Sequence, residues 1–154
     1  MENKVLPIRI KIKNGLRVIF IPMPGIKSVT VSIEGKAGAY AEKENETGLA
    51  HFTEHMVFNG TEKFPKQDEL EDYITCLGGF SNAHTSYSSV SYYTRLHRDH
   101  FEDACNYISQ IVIHPIFTEE AIAKEKRIIS EEINDHHNEK YYNFMRAEKD
   151  FLFN

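Results

Sequence analysis

Asn14-Gly15 stands between two strand-like runs, and this pair limits the fold more sharply than any other local feature of the chain. Asn-Gly readily takes the positive φ angles of the tight turn that joins antiparallel strands. Before it, Ile8, Ile10 and Ile12 alternate with Arg9, Lys11 and Lys13, the period of a half-buried strand. After it, residues 16–22 are more apolar and close at Pro22 and Pro24. Residues 8–13 and 16–22 are therefore expected to form a hairpin. A third strand fits residues 28–34, with Val29, Val31 and Ile33 on one face, before a break from Gly35 to Gly38.

Helical signals follow. Residues 45–60 read as a loop and helix capped by Asn45 or Thr47 and ended by Gly60. Residues 67–77 form a second helix, stopped at Gly78-Gly79. Residues 80–97 read as two strands or one bent strand. Residues 99–113 carry Phe101, Ala104, Cys105, Ile108, Ile111 and Val112 at helical spacing, and Pro115 ends that helix. Thr118 caps the next one, with Glu119 and Glu120 suited to its dipole, and it runs to about residue 137. Residues 139–154 are again helix-like and aromatic. Such a mixture predicts an α+β fold, an antiparallel or mixed sheet with helices packed on one face. The 154 residues hold no repeat or linker and make one domain. The apolar end, Phe151-Leu-Phe-Asn154, has no helix stop signal, which leads to the expectation that residues 1–154 are a fragment of a longer chain.

Composition removes several classes. A net charge of −5 argues against nucleic acid as a partner. No apolar run approaches the roughly 20 residues of a membrane span, so no membrane partner is expected. Cys76 and Cys105 are too few for a disulfide scaffold and read as reduced core residues. The N-terminus shows no secretory signal, and the expected compartment is the cytoplasm. Eight histidines remain to be explained.

His51-Phe52-Thr53-Glu54-His55 accounts for two of them. At about 100° per residue, His55 lies about 40° from His51 and Glu54 about 60° the other way, so all three share one helix face. Leu49, Phe52, Met56 and Val57 make the remaining face apolar. Two imidazoles at i and i+4 can hold one zinc ion, and the carboxylate between them can reach a water on it. A third ligand can come from the helix after Thr118. There Ile122, Ile129, Ile133, Ala121 and Ile128 define an apolar arc that also contains Glu125 and Glu132, while Glu131 falls opposite with Glu120 and Lys124. Carboxylates in an apolar stripe are costly unless paired or bound to a cation. Nothing basic lies in that arc, so a zinc ion would supply the charge, through Glu132 or Glu125. His97, His100 and His114 sit at element ends and read as surface residues. His136-His137 belongs to a solvated face, and His84 lies in a strand where it can line a cleft.

His-x-x-Glu-His inverts the zincin motif. Its setting resembles the pitrilysin-type, or insulinase-type, zinc metallopeptidase family. The matching segments are residues 48–61, residues 79–85, Tyr92-Tyr93, Pro115 to Glu120, Glu125, and Ser130 to Ile133. The resemblance runs from about residue 8 to the end. It implies zinc, one per chain, held by His51, His55 and Glu132, the last being separated from His55 by 76 residues as in the family. It implies Glu54 as general base and Glu125, seven residues before Glu132, as a second essential carboxylate. It further implies that Asn82 and Ala83 bind the backbone of a peptide or unfolded protein substrate. The activity implied is that of a zinc metalloendopeptidase working through a zinc-activated water. Family members are much longer, so this chain resembles the N-terminal portion, and a second half or partner subunit is expected to complete the site. The alternative reading is a non-catalytic subunit or assembly protein of the same fold; such relatives usually have a degraded zinc motif, and here the motif positions are intact.

Overall fold

A computed structural model describes residues 6–138 and, beyond them, Asn143, Phe144, Ala147, Glu148 and Phe151, which are helical. The rest of the aromatic segment 139–154 lies outside the described residues. Among the described residues, two antiparallel sheets and the helices α1 to α4 make up the α+β architecture. Strands β1 (Ile8–Lys11) and β2 (Arg17–Phe20) form the hairpin around Asn14-Gly15, with Ile8 opposite Phe20 and Ile10 opposite Val18. Gly15 takes φ +92°, and Asn14 Oδ1 accepts from the Leu16 amide at 3.0 Å.

The second sheet has the order β3-β5-β4, from β3 (Ser28–Gly35), β4 (Phe80–Thr85) and β5 (Val90–His97). Here the structure departs from a simple meander. β3 pairs with β5, from Ser28 opposite His97 to Gly35 opposite Val90, and not with the hairpin that precedes it. The hairpin packs chiefly on itself, and its Ile8, Ile10, Val18, Ile19 and Phe20 are all exposed. The reason lies in β5, whose Val90, Tyr92, Thr94 and Leu96 are buried while Arg95 and His97 are exposed. That alternation makes it the central strand over the core.

Helices α1 (Leu49–Met56), α2 (Gln67–Thr75) and α3 (Phe101–Ile113) supply the rest of the core: Met56, Val57, Leu70, Ile74, Ala104, Tyr107, Ile108 and Ile111. Full burial of each large apolar side chain contributes about 1.5–3 kcal/mol. Tyr107 satisfies its hydroxyl through Ser81 Oγ at 2.7 Å, which ties α3 to β4. Burial pushes the Tyr107 phenol above its usual range. The sharp stop before β4 needs glycine at position 79, where a Cβ would meet the Arg95 carbonyl oxygen at 2.6 Å and the Leu96 side chain. Helix α4 (Glu119–Asn138) starts at Thr118, whose hydroxyl accepts the Ala121 amide at 3.1 Å. No helix among the described residues is long and apolar enough to cross a membrane.

Four local expectations are corrected. Neither Asn45 nor Thr47 caps α1: residues Glu44–Glu46 form a separate 3-10 turn, and Gly48 enters the helix at φ +90°. The cap comes from Glu42, whose carboxylate accepts the Gly48 and Ala50 amides at 2.9 and 2.7 Å. A carboxylate suits that positive helix end electrostatically. Leu49, placed on the apolar face of α1, is exposed. Cys76 is exposed as well, because it follows the last turn of α2 on its outer side, while Cys105 is half-buried; both are free thiols. Finally, Ile133 is exposed although it belongs to the apolar arc of α4, because that helix leans on α1 along part of its length.

Candidate metal centre

α1 brings His51, Glu54 and His55 to one side, and α4 crosses that side. Met56 and Val57, on the opposite side, are buried in the core and fix the rotation of α1 about its axis. The ligand atoms available on His51, His55 and Glu132 all lie within 4.8 Å of one another. The two Nε2 atoms are 3.3 Å apart, and Glu132 Oε2 is 3.9 Å from His51 Nε2 and 3.6 Å from His55 Nε2. A tetrahedral zinc with bonds of about 2.0–2.2 Å sets its ligand atoms about 3.4 Å apart. The donor set, two imidazole nitrogens and one carboxylate oxygen, also suits zinc, so residues and spacing fit the ion. His51 and Glu132 are each more than a third exposed, which leaves the pocket open on one side.

Glu125 does not join the cluster of three. It is only 4% exposed and sits behind His55, with Oε2 3.1 Å from His55 Nδ1. A carboxylate there accepts, so Nδ1 carries the proton and Nε2 keeps its lone pair toward His51 and Glu132. Asn59 Nδ2 donates to the other oxygen, Oε1, at 3.0 Å. Nothing basic lies in the apolar arc of α4, but a cation reaches it from outside. Lys124 Nζ lies 3.6 Å from Glu125 Oε1, because its long side chain bends back from the polar side of α4. Glu125 is thus paired within the chain, and Glu132 is the glutamate that turns to the two Nε2 atoms.

Glu54 lies beside the pair. Its Oε2 accepts a hydrogen bond from Thr85 Oγ1 at the end of β4, while Oε1 has no protein partner among the described residues. Tyr92, buried under this carboxylate, has its phenol pushed up, first by burial and then by the charge of Glu54. β4 is an edge strand, since β5 occupies the middle of the sheet. On it Ser81, Ala83 and Thr85 are half-buried toward the helices, and Phe80, Asn82 and His84 are exposed on the other face. The Ala83 amide donates to Asn82 Oδ1 at 2.8 Å. His84 is thereby turned from Glu54 and lines no cleft with it.

The other histidines with described side chains pair locally. His97 Nδ1 lies 3.4 Å from Asp99, His100 Nδ1 3.0 Å from Asp103 and His114 Nδ1 3.3 Å from Glu62. Sequence reasoning missed Asn59, Lys124 and the part of Thr85. Asn59 follows His55 by four residues, as His55 follows His51, and that repeat was the available signal.

Comparisons with known proteins show which family the chain resembles. The signature of Insulinase (Peptidase family M16) matches residues 17–149. An uncharacterized zinc protease of Rickettsia felis is 37% identical over 123 residues, which are 80% of this chain and 30% of that protein. Human insulin-degrading enzyme is 31% identical over 123 residues, 80% of this chain and 12% of that enzyme. The crystal structure of pitrilysin superposes with a TM-score of 0.76 at 23% identity, covering 86% of this chain and 14% of that one. A protease from Helicobacter pylori gives 0.77 over 83% of this chain and 30% of that one. The chain thus spans less than a third of the length of either of these two curated relatives. With a signature that covers most of its residues, this chain belongs to the insulinase family, peptidase family M16, whose members are zinc metallopeptidases.

Proposed function

We propose that this chain is the zinc-binding catalytic portion of a metalloendopeptidase, with one zinc held by His51, His55 and Glu132. The observation that carries this reading is the convergence of two Nε2 atoms and one carboxylate oxygen, with Glu54 beside them on the same helix. When bound, zinc would lower the pKa of a water in its open position and polarise a peptide carbonyl.

The chain's own residues do the rest. Glu54 takes the proton of the attacking water on Oε1 and passes it to the leaving amine. Thr85 holds Glu54 Oε2, so the carboxylate keeps one orientation through both transfers. Glu125 fixes the tautomer and rotation of His55, as a carboxylate behind a ligating histidine does. The peptide lies along the free edge of β4, where its carbonyl takes the Ala83 amide that Asn82 Oδ1 now accepts. Binding of that kind uses main-chain hydrogen bonds and suits an extended peptide or unfolded protein.

The fraction of its relatives that the chain spans supports a further part of the proposal. Excluding water and holding the peptide supply much of an enzyme's rate. We assign those tasks to polypeptide outside these 154 residues, in the same chain or a partner subunit. The intact donor set favours this over a non-catalytic assembly role. The test is metal analysis together with a fluorogenic peptide assay, on this chain and on a form extended by its native flanking sequence. Stoichiometric zinc that is lost in His51→Ala, with turnover in the extended form, is expected. Zinc at full stoichiometry in a His51→Ala, Glu132→Ala double variant would sink the proposal.

A further inference from the structure

We infer that Asn59 is a positioning residue of the metal centre: its carboxamide, oriented by Lys124, holds Glu125 so that His55 presents Nε2. This rests on the zinc reading above and adds to it a residue that lies outside the His-x-x-Glu-His motif. The argument starts from the chemistry of the amide. Asn59 follows the last turn of α1, where its Nδ2 faces two acceptors, the His55 carbonyl oxygen at 3.2 Å and Glu125 Oε1 at 3.0 Å. Its Oδ1 faces a donor, Lys124 Nζ, at 3.3 Å. A flipped amide would set Oδ1 against two oxygens and Nδ2 against an ammonium, so only one orientation is compatible with its surroundings.

Lys124 is itself fixed, because its Nζ also donates to Gln67 Oε1 at the start of α2. A chain of directed hydrogen bonds thus runs from α2 through Lys124, Asn59 and Glu125 to the His55 ring. Its effect is on direction. Glu125 has one oxygen on His55 Nδ1 and one on Asn59, and with both held the carboxylate cannot swing about its own axis. Were Asn59 apolar, Oε1 would lose its nearest donor in a site that is almost closed to water. The carboxylate would then rotate toward Lys124 Nζ, 3.6 Å away, and loosen its hold on Nδ1. Asn59 meets the His55 backbone carbonyl, Glu125 and Lys124, and its route to the His55 ring runs through Glu125.

That dependence can be measured without turnover. Zinc affinity is read by competition with a chromophoric chelator, for the wild-type chain, Asn59→Leu, Glu125→Gln and the double variant. Partners behind metal ligands are worth about 10–100-fold in affinity. Asn59→Leu is expected to weaken zinc binding about tenfold alone and less than about twofold in the Glu125→Gln background. An equal loss in both backgrounds, or no loss in either, overturns the inference. Nitrogen-15 NMR of the metal-free wild type supplies a readout that needs no Asn59 variant to fold. His55 is expected protonated on Nδ1, and a ring protonated on Nε2 overturns the inference. His51→Ala, Glu132→Ala is the separate arm: unchanged zinc affinity there refutes the ligand set, while a His55 ring protonated on Nε2 would remove the Glu125 link through which Asn59 acts.

Discussion

Zinc should stabilise this chain by an amount that can be worked out beforehand. The three ligand atoms already stand 3.3–3.9 Å apart, so binding needs little rearrangement of α1 or α4. His51 and Glu132 are partly exposed, so the ion enters without opening the core. Zinc at about one hundred times its Kd adds about 2.7 kcal/mol to the native state. A domain of 154 residues gains about 2–4 °C in Tm per kcal/mol. The expected rise is therefore about 5–11 °C by differential scanning calorimetry, reversed by a chelator. Two controls follow from the geometry. Glu131→Gln changes a residue on the exposed side of α4 and should leave the rise intact. His51→Ala, Glu132→Ala leaves one ligand and should abolish it. A rise of equal size in the double variant, or none in the wild type, would refute the reasoning.

Other outcomes are equally specific. Glu54→Gln should keep the zinc-dependent rise in Tm while lowering kcat of an active extended form by about 10²–10⁴-fold. Thr85→Val keeps the branched shape but removes the hydrogen bond to Glu54; a bond to a charged group is worth about 1.5–3 kcal/mol, so kcat should fall about 10–100-fold with zinc affinity unchanged. Gly79→Ala forces a Cβ against Arg95 and Leu96 and should cost about 1–3 kcal/mol in urea unfolding. Tyr92 and Tyr107 hold their protons more tightly when folded, mainly through burial, so the unfolded chain releases them first. Their contribution to stability should therefore be full below pH about 10 and be lost as the pH rises beyond it, and Tyr107→Phe should flatten that fall in a Tm-against-pH series.

Much of the arrangement follows from periodicity. The helical spacing of residues 101–112 and the Thr118 cap translate directly into elements, because each is a local rule, whereas the alternation of residues 8–13 gives the strand but not its half-burial, since β1 is exposed on both faces. The shared face of His51, Glu54 and His55 needs only the helical angle. The α4 wheel puts Glu125 and Glu132 in one arc, and both reach the histidines, one from behind and one alongside. Which of the two turns to Nε2 depends on the tilt of α4 across α1, and no wheel contains that. The compensating cation was hidden for a related reason: Lys124 points away at its Cα, and only its flexible stem brings Nζ back. Glu42 escaped notice as a cap because it acts across a 3-10 turn, beyond the usual spacing of a capping side chain. The isolation of the β1–β2 hairpin depends on β3 choosing β5, a pairing between residues more than fifty positions apart.

That hairpin divides the molecule into two thermodynamic tiers. Two strands without a covered face are marginal in water, whereas β5 is bonded on both sides and its inner face is buried in the core against α3. Native-state hydrogen exchange should separate them. Amides of Ile8, Ile10, Val18 and Phe20 should exchange through local opening, at a small fraction of the global unfolding free energy. Those of Tyr92, Thr94 and Leu96 should exchange only when the whole domain opens. A protein that loses the hairpin to proteolysis would on this account still keep α1, α4 and the residues between them in place.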